Sequence, residues 1–199
     1  MKLKITLLAL IIGSTLTTYA QFKFGPVIDL SYAAYSTKGD SVTLKGGLGP
    51  AFGITADKYI SYWLSLRGTA LYAFKTLNTT RVLDGEKDKM NGQFFDLCVA
   101  GRFSDFDNDS KILPYGLAGL GAAFTIVSKR QENHMVGTTY NSTLPYFTVG
   151  AGIGIKMGFF SEIDLSVNYN RYLAPVFTIP IDDKAARLNQ FSLRFTGLF

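Results

Sequence analysis

The chain has 199 residues, a net charge of +5 from 20 Lys and Arg against 15 Asp and Glu, 14% aromatic residues, 20 glycines, one histidine and one cysteine. Bases and acids are interspersed with no basic stripe, which excludes a nucleic-acid-binding surface, and the lone Cys98 excludes an internal disulfide framework. No stretch approaches the roughly 20 continuous apolar residues of a spanning helix, so helical membrane topology is excluded too.

Residues 1–20 read as a cleaved signal peptide. Lys2 and Lys4 form a basic start, Ile5 to Ile12 an almost unbroken apolar run, and Thr18-Tyr19-Ala20 a small-x-small cleavage site. A lipoprotein would need cysteine where Gln21 stands. The mature domain is then 21–199, one domain of ordinary size.

In the mature chain the signal is alternation with period two. Phe22 to Tyr35 sets Phe22, Phe24, Ile28, Leu30 and Tyr32 against Lys23, Gly25, Asp29 and Ser31. Leu44 to Thr55 sets Leu44, Leu48, Phe52 and Ile54 against Lys45, Gly47, Gly49 and Gly53. From Ile60 to Lys75 the apolar face runs Ile60, Tyr62, Leu64, Leu66, Ala70, Tyr72 and Phe74, interrupted at Gly68, and the other face carries Arg67 and Lys75. Gln93 to Phe103 opposes Phe95, Leu97, Val99 and Phe103 to Asp96, Cys98, Ala100 and Arg102. Leu113 to Val127 is small and apolar on both faces, so its facing stays open. Leu144 to Met157 opposes Phe147, Val149, Ile153 and Ile155 to Thr148, three glycines and Lys156. Glu162 to Tyr172 opposes Ile163, Leu165, Val167 and Tyr169 to Glu162, Asp164, Ser166, Asn168 and Asn170. Gln190 to Phe199 opposes Phe191, Leu193, Phe195 and Phe199 to Ser192, Arg194 and Thr196.

Eight such segments, several longer than the usual strand of soluble sheets, predict an all-β, eight-stranded antiparallel transmembrane up-and-down β-barrel. Connections alternate long and short, with tight turns expected at Ala56 to Tyr59 and Gly158 to Ser161, as in outer-membrane barrels with both termini on the periplasmic side. A soluble lipocalin-like binding barrel is the structural rival, but it would carry Lys and Glu outside. Here the polar face is Gly, Ser, Thr and Asn with opposed charges, while Tyr32, Tyr62, Tyr72, Tyr115, Tyr146 and Tyr169 fall near strand ends, where a bilayer interface would place them. The terminal strand, with Phe191, Leu193, Phe195 and Phe199 on one face, looks like the signal read by barrel-assembly machinery.

Loose motifs at the end of the signal and across the mature chain add a resemblance. They are Tyr19-Ala20-Gln21, Leu44-Lys45-Gly46-Gly47-Leu48-Gly49, the run from Leu113 to Gly121, Gly150-Ala151-Gly152-Ile153-Gly154 and the terminal Phe199. With these the chain resembles the small outer-membrane β-barrel family of Bacteroidota, the porin-family or PorT-like barrels. That resemblance implies an eight-stranded barrel in the outer membrane and no shared catalytic residues. Phe94-Phe95-Asp96-Leu97-Cys98 lacks the proline of the PorT branch.

The remaining patterns carry little chemistry. Glycines 116, 119 and 121 lie inside a strand rather than opening a helix, so they cannot cradle a phosphate. Asp105, Asp107 and Asp109 begin like a calcium loop, but Ser110 and Gly116 stand where the loop needs Gly and an acid, which leaves a solvated turn. His134, the only histidine, sits in a polar loop between Asn133 and Met135; no enzyme and no cofactor are expected. Asp29, Lys45, Arg67, Asp96, Arg102, Lys156, Glu162, Asp164 and Arg194 form a candidate lumen charge network. In so narrow a barrel they should pair and plug it rather than line an ion path. The stretch Leu173 to Ile181 is unusually apolar for an external loop and either extends a strand pair, offers a partner surface or folds over the barrel mouth. The expected protein is a monomer in outer-membrane lipid, structural or engaged in loop-mediated binding or adhesion with an extracellular or envelope protein partner. A narrow pore for ions or small solutes is the alternative.

Overall fold

A computed structural model describes residues 22–36, 42–81, 87–106, 109–130, 139–157, 162–179 and 184–199. The expected signal peptide, His134, Asp107 and the turn at Gly158 to Ser161 lie outside these residues. Among the described residues there are ten strands: β1 (Phe22–Ser36), β2 (Val42–Ser61), β3 (Leu64–Arg81), β4 (Lys87–Phe103), β5 (Ile112–Arg130), β6 (Thr139–Tyr140), β7 (Thr143–Lys156), β8 (Glu162–Tyr172), β9 (Phe177–Ile179) and β10 (Lys184–Leu198). Every long strand pairs antiparallel with the next, and β10 pairs with β1 from Val27↔Thr196 to Ser36↔Arg187. The eight long strands thus close into a barrel without an edge, so the backbone polar groups of its wall are satisfied from within. The terminal residue completes the seam: Phe199 N–H donates to Phe24 O at 2.8 Å and Phe24 N–H to Phe199 O at 3.1 Å.

From Asp29 the register leads to Ala51, Ala73, Phe94 and Thr125 in one direction. In the other it leads to Arg194, Ser166, Gly152 and Tyr115, so the two routes meet on β5 ten residues apart. This stagger corresponds to a strand tilt of roughly 40–45°, and a barrel of eight strands so tilted is just wide enough for side chains to fill.

Alternation decides what faces where. Phe24, Ile28 and Leu30 on β1, Val149 and Ile153 on β7 and Phe191, Leu193 and Phe195 on β10 point outward and are exposed, while Asp29, Thr148 and Arg194 next to them are buried. Apolar groups are therefore outside and polar groups inside, the reverse of a soluble barrel. Aromatic contacts band the outer wall at both ends. Phe22 stacks on Phe24 at 5.9 Å and Trp63 on Phe103 at 6.0 Å at the end that holds the termini. At the other end Phe52, Tyr72 and Phe74 cluster within 5.2–6.1 Å, and Tyr169 meets Phe191 at 4.9 Å.

Several expectations are corrected. The turn expected at Ala56 to Tyr59 lies instead at Tyr62 and Trp63, because alternation continues through Thr55 and Asp57 and the chain stays paired to Ser61. Asp57 stands directly opposite Arg67, which satisfies it without a chain reversal. Tyr115 and Tyr146 are not interface residues: at 5% and 3% exposure they fill the lumen, being in phase with buried Leu113, Leu117 and Leu144. This also fixes the facing of β5, whose odd-numbered residues from Leu113 to Ala123 point inward. The apolar stretch after Leu173 both extends the sheet and covers the mouth. Phe177–Ile179 pairs with Lys184–Ala186 and with Thr139–Tyr140, whereas Val176 is buried in the apolar cluster inside the barrel.

Candidate functional site in the barrel lumen

The lumen holds two charge-balanced layers. At the end bearing the termini, β2, β3, β4 and β8 each bring a charged side chain inward, and the pairings Asp57↔Arg67 and Ser65↔Arg102 set their heights. Arg67 grips Asp57 in a fork, Nε to Oδ1 and Nη2 to Oδ2, both at 2.7 Å. The same Nη2 donates to Asp164 Oδ2. Arg102 donates to Asp57 at 3.2 Å, to Asp164 at 3.3 Å and to Glu162. Glu162 also accepts from Lys23 at 3.0 Å and from the Tyr59 hydroxyl at 3.1 Å. Tyr115 lies against both guanidinium groups, 4.2 Å from Arg102 and 5.5 Å from Arg67 by ring centroid. Asp57, Glu162 and Asp164 thus balance Lys23, Arg67 and Arg102. Fork geometry with a planar donor is what makes such a buried pair tolerable, since unpaired charge out of water is costly.

The second layer sits further from the termini. Arg194 Nε donates to Asp29 Oδ2 at 2.9 Å, and Lys75 Nζ donates to Asp96 Oδ2 at 3.3 Å and to the Tyr172 hydroxyl at 2.5 Å. The Tyr172 hydroxyl in turn donates a hydrogen bond to Gln190 Oε1 at 2.9 Å. The Lys75 ammonium lies over the rings of Phe94 and Tyr172, at 4.7 and 4.8 Å. Around and beyond it an apolar cluster of Leu71, Phe94, Leu144, Tyr146, Val176 and Leu188 fills this half of the lumen.

Of the nine charges expected in the network, the structure joins Arg67, Arg102, Glu162 and Asp164 in one layer and places Asp29, Asp96 and Arg194 in the other. Lys156 stands opposite Glu162 in the register and is half-buried. Lys45 is a correction: it is exposed and makes no ion pair with a described residue, because the register shift between Gly46 and Ala51 breaks the alternation beside it. Asp57, Lys23, Lys75 and Tyr115 were missing from the expected set. Lys23 and Lys75 were visible on polar faces, and Asp57 would have emerged had the alternation of β2 been followed past Thr55. Asp105 and Asp109 are exposed, and among the described residues no three His, Cys, Asp or Glu side chains are grouped to hold a metal. The four expected assembly-signal residues, Phe191, Leu193, Phe195 and Phe199, all face outward.

The family model for the outer membrane protein beta-barrel domain matches residues 5–199. The chain belongs to this outer-membrane barrel family. Among solved structures, the barrel is similar to outer membrane protein OprG of Pseudomonas aeruginosa, with a TM-score of 0.65 and 8% identity over 89% of this chain and 93% of that one. It is also similar to Neisserial surface protein A, with a TM-score of 0.50 and 17% identity over 87% and 95%. At such identities the likeness is one of fold. Among curated proteins none matches. For an outer-membrane barrel the exposed apolar wall is the face that meets lipid, and the two filled layers are its interior.

Proposed function

We propose that this barrel is a structural and binding or adhesion protein that works at the cell surface through its external loops, without catalysis. The filled lumen carries the proposal: two charge-balanced layers and an apolar cluster occupy the interior, which argues against passage of solute as the main activity. The small sheet of β6, β9 and the start of β10 supports it by extending the structure past the barrel wall. The loops are external if the termini are periplasmic, which the two-residue turn between β2 and β3 at the termini end and the long connections after β5 and β8 at the other favour. The same reading has residues 1–20 cleaved on export, the Phe199 strand recognised by assembly machinery, a monomer in the membrane, and a chain from the Bacteroidota branch of the family. The test replaces residues 131–138 and 173–183 with short turns and compares surface binding of whole cells. Lost binding to envelope or extracellular protein, with heat-modifiable gel migration kept, is expected; unchanged binding would overturn the proposal.

A further inference from the structure

The outer wall at the end away from the termini carries an unusual pair of charges. Arg171 on β8 and Arg187 on β10 are both exposed and alternate with buried Tyr172 and Leu188, so both project from the lipid-facing side. Arg171 stands opposite Asn189, which makes Arg187 its diagonal neighbour, about 7–8 Å away on the backbone. Neither makes an ion pair with a described residue, and no acid occupies an outward position of β1, β7, β8 or β10 among the described residues.

Their height fits a membrane surface. A strand rise of about 3.3 Å per residue at a tilt of roughly 40–45° climbs about 2.4 Å per residue. The nine steps from Glu162 to Arg171 therefore climb about 22 Å, close to the ~25 Å apolar band of such barrels. Beneath the arginines lie the Tyr169–Phe191 ring pair and then a shallow groove of about 310 Å³, lined by Leu30, Tyr32, Leu48, Val167, Phe191 and Leu193. Val167 and Phe191 are each four residues below an arginine on the same face, about 10 Å lower.

We propose that this wall holds a phosphate-bearing lipid of the outer leaflet, its phosphate bridged by Arg171 and Arg187 and one acyl chain lying in the groove. Guanidinium forks match phosphate oxygens, and basic side chains at the membrane surface select anionic headgroups. A free anion would have no use for the apolar groove below, which is continuous with the lipid-facing wall. The inference rests on the orientation given under the proposed function, with the termini periplasmic.

The experiment is native mass spectrometry of the purified full chain in detergent, titrated with dipalmitoyl phosphatidic acid, with dipalmitoyl phosphatidylcholine and with inorganic phosphate. Wild type should retain phosphatidic acid in preference to phosphatidylcholine, and the double variant Arg171→Gln, Arg187→Gln should retain it roughly tenfold or more weakly. Val167→Phe, which fills the groove and leaves both arginines, should also weaken it. Equal retention by wild type and the double variant would overturn the site, and displacement of the lipid by inorganic phosphate would reduce it to a free-anion site. Orientation is read separately. Arg187→Cys in a Cys98→Ser background should react with an impermeant maleimide on intact cells, and reaction only after permeabilisation would overturn the outer-leaflet placement while leaving the lipid affinity standing.

Discussion

Replacing Arg67 with methionine removes one cation from the middle of a buried cluster of paired charges and keeps most of the volume. Arg67 is 2% exposed and its partners Asp57 and Asp164 are fully buried. In the variant both carboxylates must rely on Arg102, at 3.2 and 3.3 Å, which already holds Glu162. Of the three cations that hold the three acids, Arg102 and Lys23 then remain. Breaking a buried pair from one side costs about 3–5 kcal/mol, because the orphaned charge stays buried. At a urea dependence of about 2 kcal/mol per molar, the unfolding midpoint should fall by roughly 1.5–2.5 M. The assay is urea titration of the barrel in lipid vesicles, read as the folded fraction by gel migration without boiling. Adding Asp57→Asn restores neutrality and should recover more than half of the loss. A single variant within about 1 kcal/mol of wild type would refute the reasoning, since that is how a solvated, screened pair behaves.

Gly154→Ala should cost about 1–3 kcal/mol in the same titration, since its Cβ would meet Glu162 Oε1 at 2.3 Å and Arg102 Nη2 at 2.7 Å. Gly68→Ala should be neutral or slightly stabilising, because nothing lies within 4 Å of the added carbon and glycine weakens a strand by about 0.5–1 kcal/mol. Leu188→Ala, at a fully buried position in the apolar cluster, should lower stability by about 2–5 kcal/mol; a loss below 1 kcal/mol would show that the cluster is loosely packed. Phe199→Ala keeps both backbone bonds to Phe24, so folding into vesicles should stay near wild type while assembly in cells falls. Equal assembly in cells would remove the terminal ring as a recognition signal.

The barrel was legible because lipid outside and packed side chains inside impose opposite chemistries on alternate residues of every strand. Glu162 to Tyr172 shows this plainly: the expected strand and the observed one coincide. The limits of that signal are also physical. Alternation tells which face a residue shares but not which charges meet across the lumen, which depends on the ten-residue stagger and on the true end of β2. Asp57 therefore reads as a turn residue in the sequence, although both arginines share it, as they do Asp164. Tyrosine suits an interface and a crowded interior equally well, so Tyr115 and Tyr146 could be placed only through the phase of their strands. Leu71 on the inward face of β3 and the two apolar faces of Leu113 to Val127 are the signs in the sequence that half of the lumen is apolar.

Planar-bilayer recording of the purified, heat-modifiable protein tests the filled lumen most directly. With Arg67, Arg102, Asp57, Glu162 and Asp164 locked together and Val176 and Leu188 packed beyond them, the trace should stay flat across the accessible voltages. Reproducible conductance steps, lost on boiling, would contradict a plugged barrel and make passage through its interior the function to explain.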